Sequence, residues 1–164
     1  MIVNHYNIPK FEEIVSLEKK SNKEGSGIID KDLEGLWKLQ YVWKKGSKNI
    51  DNISSSLLQI LSANLRLEFL GIVENVPNFK ITNSIRFGLL IILFQGKASL
   101  KGNRPLLNFY FEKLTISFAN LNLIKKSLSK PDLKKIPFFS LIAIEKDKKW
   151  LCARGKGGGL ALWL

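Results

Sequence analysis

Acid–base and nucleophilic catalysis draw on side chains that ionise near neutrality, and this sequence holds one histidine, His5, and one cysteine, Cys152. A Ser–His or Cys–His pair would have to recruit His5 as its base, from an N-terminal stretch that reads as frayed. One His and one Cys, far apart in the chain, do not make a zinc site, and a lone cysteine closes no internal disulfide. No general base stands out for isomerase or cyclase chemistry either. The expectation is a protein without catalytic residues, metal or cofactor.

The remaining special residues suit mechanical work. Gly35-x-Trp37 opens a stretch with strand periodicity, and Arg154-Gly155 closes a late one. In a small up-and-down barrel, glycine permits a tight entry and tryptophan plugs the narrow end. A guanidinium laid over the indole seals it, a contact worth about 0.5–2 kcal/mol. Arg154 reads equally as such a clamp or as a counter-ion for an acidic ligand head group. Arg104 before Pro105 is a strand-start surface charge or a ligand contact. The glycine-rich stretch from Gly155 to Gly159 has no following helix whose dipole could hold a phosphate, so it reads as a turn.

Those residues need elements to carry them. Pro9 to Asn22 reads as an amphipathic helix, with Phe11, Ile14, Val15 and Glu18 on one stripe, Glu12 and Glu13 at its N-terminal end, and Lys19 and Lys20 near its C-terminal end. Ser21 to Gly27 reads as a linker. From Gly35 the period shortens to two. Trp37, Leu39, Tyr41 and Trp43 share one face of the first strand, and strands follow over 64–70 and 79–87 with one apolar face each. A more uniformly apolar stretch covers 89–100. In 106–118 the apolar set moves from odd positions (Leu107, Phe109, Phe111) to even ones (Leu114, Ile116, Phe118), which predicts a bulge or turn at Glu112-Lys113. Strands over 138–146, 150–154 and 160–164 complete the set. Residues 53–62 fit a short helix or a strand. Asn120 to Lys135 reads as a long basic loop with at most one helical turn.

Many short strands without long intervening helices predict a mainly β protein, a sandwich or a closed barrel, with residues 1–30 as a helical segment and linker and 31–164 as the β domain. With 45% apolar and 24% charged residues the composition is that of an ordinary folded domain. The longest apolar run, from Phe87 to Phe94, is too short for a spanning helix. The first eleven residues lack the features of a secretory signal or transit region, which predicts a cytoplasmic or peripheral protein. A net charge of +12 favours an anionic partner such as a membrane surface, or simply keeps the protein in solution.

The segment Leu33-Glu34-Gly35-Leu36-Trp37-Lys38-Leu39-Gln40-Tyr41 resembles the L-x-G-x-W-x-L-x-Y opening of the plastid-lipid-associated (PAP/fibrillin) family of plastid and cyanobacterial proteins. The segment from Trp150 to Trp163 resembles that family's closing R-x-x-R-G-x-x-G-x-L-F-V-L, with Trp150 in place of the first arginine and Ala161-Leu162-Trp163 in place of Phe-Val-Leu. Gln59-Ile60 and Arg104 fall where the family has similar elements, so the resemblance runs from about residue 10 onward. It implies a lipocalin-like antiparallel β-barrel, peripheral to thylakoid membranes or lipid globules, which binds or organises carotenoids, quinones or other lipids and performs no chemistry.

Together these readings give a binder of an apolar small molecule. The expected pocket is lined by Trp37, Leu39, Tyr41, Phe79, Ile81, Phe109 and Phe111 with Arg104 nearby, and is closed by Gly35, Trp37, Arg154 and Gly155. Lys125, Lys126, Lys130, Lys134 and Lys135 are expected to face an anionic membrane together, or else to be a solvated lid. The rival is a scaffold protein whose filled barrel coats lipid or holds a protein partner. Nucleic acid fits poorly, because the aromatic residues of the first strand fall on the expected inner face and leave no stacking platform.

Overall fold

The structure is a computed structural model that describes residues 8–51, 63–103, 105–145 and 150–164. The segment 53–62, Gln59-Ile60, His5, Asp147-Lys148 and Arg104 lie outside the described residues. Over half of the described chain is strand. Helix α1 (Phe11–Glu24) and a single-turn helix α2 (Asp30–Leu33) precede nine strands. These are β1 (Gly35–Trp43), β2 (Asn64–Val73), β3 (Val76–Phe87), β4 (Leu90–Lys101), β5 (Leu106–Phe118), β6 (Leu121–Ser127), β7 (Phe138–Ile144), β8 (Leu151–Gly155) and β9 (Leu160–Trp163). They form one antiparallel sheet in the order β4-β3-β2-β1-β9-β8-β7-β5-β6, and β4 pairs in addition with β5.

The sheet has two differently covered faces. On the core face Trp37, Leu65, Leu67, Phe79, Ile81, Leu107, Leu141, Leu151 and Trp163 make one buried cluster. On the other face Trp43, Ile142, Trp150, Cys152, Leu160 and Leu162 make a second, beneath the fully buried Ile14 of α1. Helix α1 starts where the Lys10 N–H donates to Glu13 Oε2 at 2.7 Å, and ends where the Gly25 N–H donates to the Ser21 carbonyl at 2.9 Å. Phe11 and Ile14 pack on its buried side, as the helical period predicts, and Leu17 joins them there.

Three irregularities decide which side chains meet. In β1, Leu39 pairs with Trp163 and Tyr41 with Leu162, so Gln40 is an extra residue and the strand changes face there. Trp37 and Leu39 therefore join the core face while Tyr41 and Trp43 join the helix face. Their even spacing predicted a single shared face, and the bulge divides it. In β7 the same happens at Ile142, between Leu141 and Ala143. In β5 the register skips Glu112, since Phe111 faces Gly96 and Lys113 faces Gln95. This is the bulge expected from the switch of apolar parity. The strands come so close that a Cβ on Gly96 would lie 1.9 Å from the Tyr110 carbonyl oxygen, so only glycine fits there.

Asn120 to Lys135 is not a long loop. Residues 121–127 form β6, an exposed strand paired with β5, and only Leu133–Lys135 makes a helical turn, of the 3-10 type. The lysines masked the strand's alternation in the sequence, because a strand exposed on both faces needs no apolar period.

Candidate functional site

A cavity of about 200 Å³ opens on the core face, lined by Leu39, Ala63, Asn64, Leu65, Ile81, Asn83, Phe109, Phe111, Phe139, Ala161 and Trp163. Strands β1, β2, β3, β5, β7 and β9 all contribute, so the site exists only once chain-distant strands have paired. Its aromatic wall is continuous. Trp163 meets Phe139 edge-on at 5.3 Å, Phe139 stacks on Phe109 at 5.0 Å, Phe109 meets Phe111 at 5.7 Å, and Phe111 meets Phe94 at 5.3 Å. Offset and tilted ring pairs at these spacings are favourable and rigid. Asn64 and Asn83 are the polar side chains of the lining, so the cavity offers mainly apolar contact with a few hydrogen-bonding groups.

Of the residues expected to line a pocket, Leu39, Ile81, Phe109 and Phe111 do so. Trp37 and Phe79 sit deeper in the same core cluster, 2% and 0% exposed, as packing residues. Tyr41 does not belong to this site. Beyond the bulge it faces an open groove with Phe11, Trp43 and Ile50 on the other side of the sheet. The sequence reading missed Asn83, Phe139 and Trp163. Asn83 stands in register with Phe79 and Ile81 along β3, and parity alone could have placed it there. Phe139 and Trp163 are brought in by pairings of β7 and β9 that no local pattern encodes.

The closure also differs from expectation. Trp37 is held by its own neighbourhood, its indole N–H donating to the Leu33 carbonyl of α2 at 2.9 Å. Gly35 has φ 144°, a backbone setting that suits the turn from α2 into β1. Arg154 is elsewhere. It pairs with Leu160, which pairs with Trp43, six residues along β1 from Trp37 and about 20 Å at ~3.3 Å per residue. It projects to the helix face, because neighbouring Ala153 occupies the core face. There Arg154 Nε and Nη2 donate to the two carboxylate oxygens of Glu18 at 2.6 and 2.5 Å, and Nη1 donates to the Gly158 carbonyl at 2.6 Å. The bonds it donates to Glu18 hold the guanidinium above its ordinary pKa. Arg154 thus fastens α1 to the sheet, and the clamp over Trp37 is not formed. Gly155 belongs to the adjoining turn, where its N–H donates to the Gly159 carbonyl at 2.9 Å.

The five lysines are all exposed, yet they do not form a single patch. Lys125 and Lys126 are consecutive on β6 and leave on opposite faces. Lys130 lies 4.9 Å from the centre of the Tyr110 ring, and Lys135 pairs with Asp132 at 3.3 Å. The Lys134 carbonyl accepts from Lys156 Nζ at 2.7 Å. Cys152 is buried under α1, and desolvation pushes its thiol up to about 12, so it stays protonated and unreactive at neutral pH. Among the described residues, no cluster of His, Cys, Asp and Glu could hold a metal ion, and no helix is long and apolar enough to cross a membrane.

Compared with protein-family models, curated proteins and solved structures, the chain matches none.

Proposed function

We propose that this chain is a lipocalin-like β-barrel, similar to the PAP/fibrillin proteins, that binds an apolar small molecule such as a carotenoid, quinone or lipid without transforming it. The pairing of β4 with β5 supports the barrel, since it links the two ends of the strand order and leaves β6 as an appended strand. The observation that carries the function is the aromatic-walled cavity on the core face. At about 200 Å³ it is smaller than a typical site for a whole drug-sized ligand, roughly 300–1,000 Å³, and larger than an apolar cavity of ~150 Å³ that admits benzene. It suits a ring or chain end, with the remainder of a long ligand outside. The role is peripheral to a thylakoid-type membrane or lipid globule, where such ligands reside.

Titration of delipidated protein with a short-chain quinone, read by quenching of tryptophan fluorescence, tests this reading. Saturable quenching is expected, because Trp163 lines the cavity, and Ala161→Phe should abolish it by filling the space. Absence of saturable uptake for quinone, carotenoid and fatty acid alike would overturn the reading. The small cavity volume favours one rival, a scaffold whose filled interior leaves only its surface to act on lipid or protein.

A further inference from the structure

The apolar core face does not stop at the cavity. From Asn83 and Phe111 onward, strands β3 to β6 run on as a four-stranded extension whose cross-strand rows hold across β3, β4 and β5 and reach β6 past a bulge at Leu123. The row at the cavity's edge is Asn83, Phe94, Leu114 and Lys126. The second is Ile85, Ile92, Ile116 and Ile124, and the last is Phe87, Leu90, Phe118 and Leu121. On the opposite face the rows are Ser84, Leu93, Thr115 and Lys125, then Arg86, Ile91, Ser117 and Asn122, so that face is polar on β3, β5 and β6 and apolar only along β4. The aromatic wall of the cavity enters it directly through the Phe111–Phe94 contact.

At the tips the large apolar side chains are left in water. Phe87 is 60% exposed, Leu89 62%, Phe118 49% and Leu121 69%. The two hairpin turns stand side by side, the Ala119 N–H of one donating to the Leu89 carbonyl of the other at 3.1 Å. Exposed patches of this kind mark interaction surfaces. The charge around them identifies the partner. The extension, residues 83–94 and 113–127, holds four cations, Arg86, Lys113, Lys125 and Lys126, and no acid. Apolar tips with cations set behind them fit an anionic lipid surface, with the side chains among the acyl chains and the cations at the headgroups.

We propose that the joined tips of the β3–β4 and β5–β6 hairpins insert into an anionic bilayer, and that the apolar rows behind them carry an apolar ligand between the bilayer and the cavity. The route rests on the ligand-binding reading above, whereas the insertion does not. The small cavity gains a purpose from it, since a ligand's tail lies along the isoleucine row while its head occupies the aromatic pocket.

A cysteine introduced at Leu89 can be labelled selectively with an environment-sensitive fluorophore, because Cys152 is buried and protonated. Leu133→Cys, on the exposed turn of the basic segment, is the control. With phosphatidylcholine–phosphatidylglycerol vesicles, the label at 89 should shift to the blue and be quenched by spin-labelled lipid, while that at 133 should not. Phe87→Ser with Phe118→Ser should reduce the vesicle-bound fraction at least tenfold without changing the melting temperature, since both positions are solvent-exposed. It should slow quinone delivery from vesicles by a similar factor, yet leave uptake of quinone added in solution intact. Insertion of the label at 133 in place of 89, or vesicle binding unaffected by the double substitution, overturns the proposal. So does a lipid-independent shift at 89 accompanied by a dimer that the double substitution dissociates, because the tips would then pair with a second copy. Failure of solution uptake in the unsubstituted protein, with tip insertion intact, removes the ligand reading and leaves the docking.

Discussion

The two ends of the sheet use the same kinds of residue for opposite purposes. Around Trp37, the side chains of Leu65, Leu67, Phe79, Ile81, Leu141, Leu151 and Trp163 are buried to a few per cent, with Leu33 of α2 packed among them. On the β3–β6 extension, equally large side chains stand in equally good register and remain in contact with water. The strand period reports which residues share a face. Whether that face is closed depends on what chain-distant elements bring to it, and this separates a core from a contact surface.

Substitutions should separate these two regions. Trp37→Ala, at the packed end, should cost about 3–5 kcal/mol in urea unfolding, because it empties a large buried volume and strands the Leu33 carbonyl. Gly96→Ala lies at the boundary and forces a methyl into the Tyr110 carbonyl, with an expected loss of about 1–3 kcal/mol in the same measurement. Arg154→Ala should cost about 1–2 kcal/mol by unstitching α1, less than a fully buried pair would, because the guanidinium is 30% exposed. A double-mutant cycle with Glu18→Gln should recover most of that as coupling, and no coupling would show that the stem of Arg154, not its charge, holds the helix.

The buried thiol gives a pH-dependent contrast. Its folded pKa, about 12, is above the ordinary value of 9.0, so its contribution is fully present below about pH 9 and is lost as pH rises toward 12. In that window the protein should lose up to about 1.4 kcal/mol per pH unit through this residue, and Cys152→Ala should flatten the slope. The smallest effect belongs to the tips. Phe87→Ser should change stability by less than about 0.5 kcal/mol, and a loss comparable to that of Trp37→Ala would show that the extension is part of the core.

Much of the fold was legible. Alternation placed β1 to β3, β5 and β7 to β9 within a few residues, β4 showed only as a uniformly apolar stretch, and the parity switch at Glu112 predicted the bulge that Gly96 accommodates. The strand β6 escaped because both its faces are wet. The site was half legible. Leu39, Ile81, Phe109 and Phe111 followed from parity, but Gln40 adds one residue that no local pattern announces, and Tyr41 went to the wrong side with it. Arg154 was singled out for its place after a late strand. Its partner was already visible as the one charged residue on the buried stripe of α1, Glu18.

The pairing of β1 with β9 joins segments about 120 residues apart, whereas β2 to β6 are linked in sequence by tight turns. Closing the long loop costs on the order of 3 kcal/mol more chain entropy than closing a hairpin, so the β2–β6 meander is expected to organise before the cavity has all its walls. In that interval the apolar extension exists without the pocket it leads to. Its many cations then serve the folding chain as well as the finished protein, keeping half-built molecules apart by mutual repulsion.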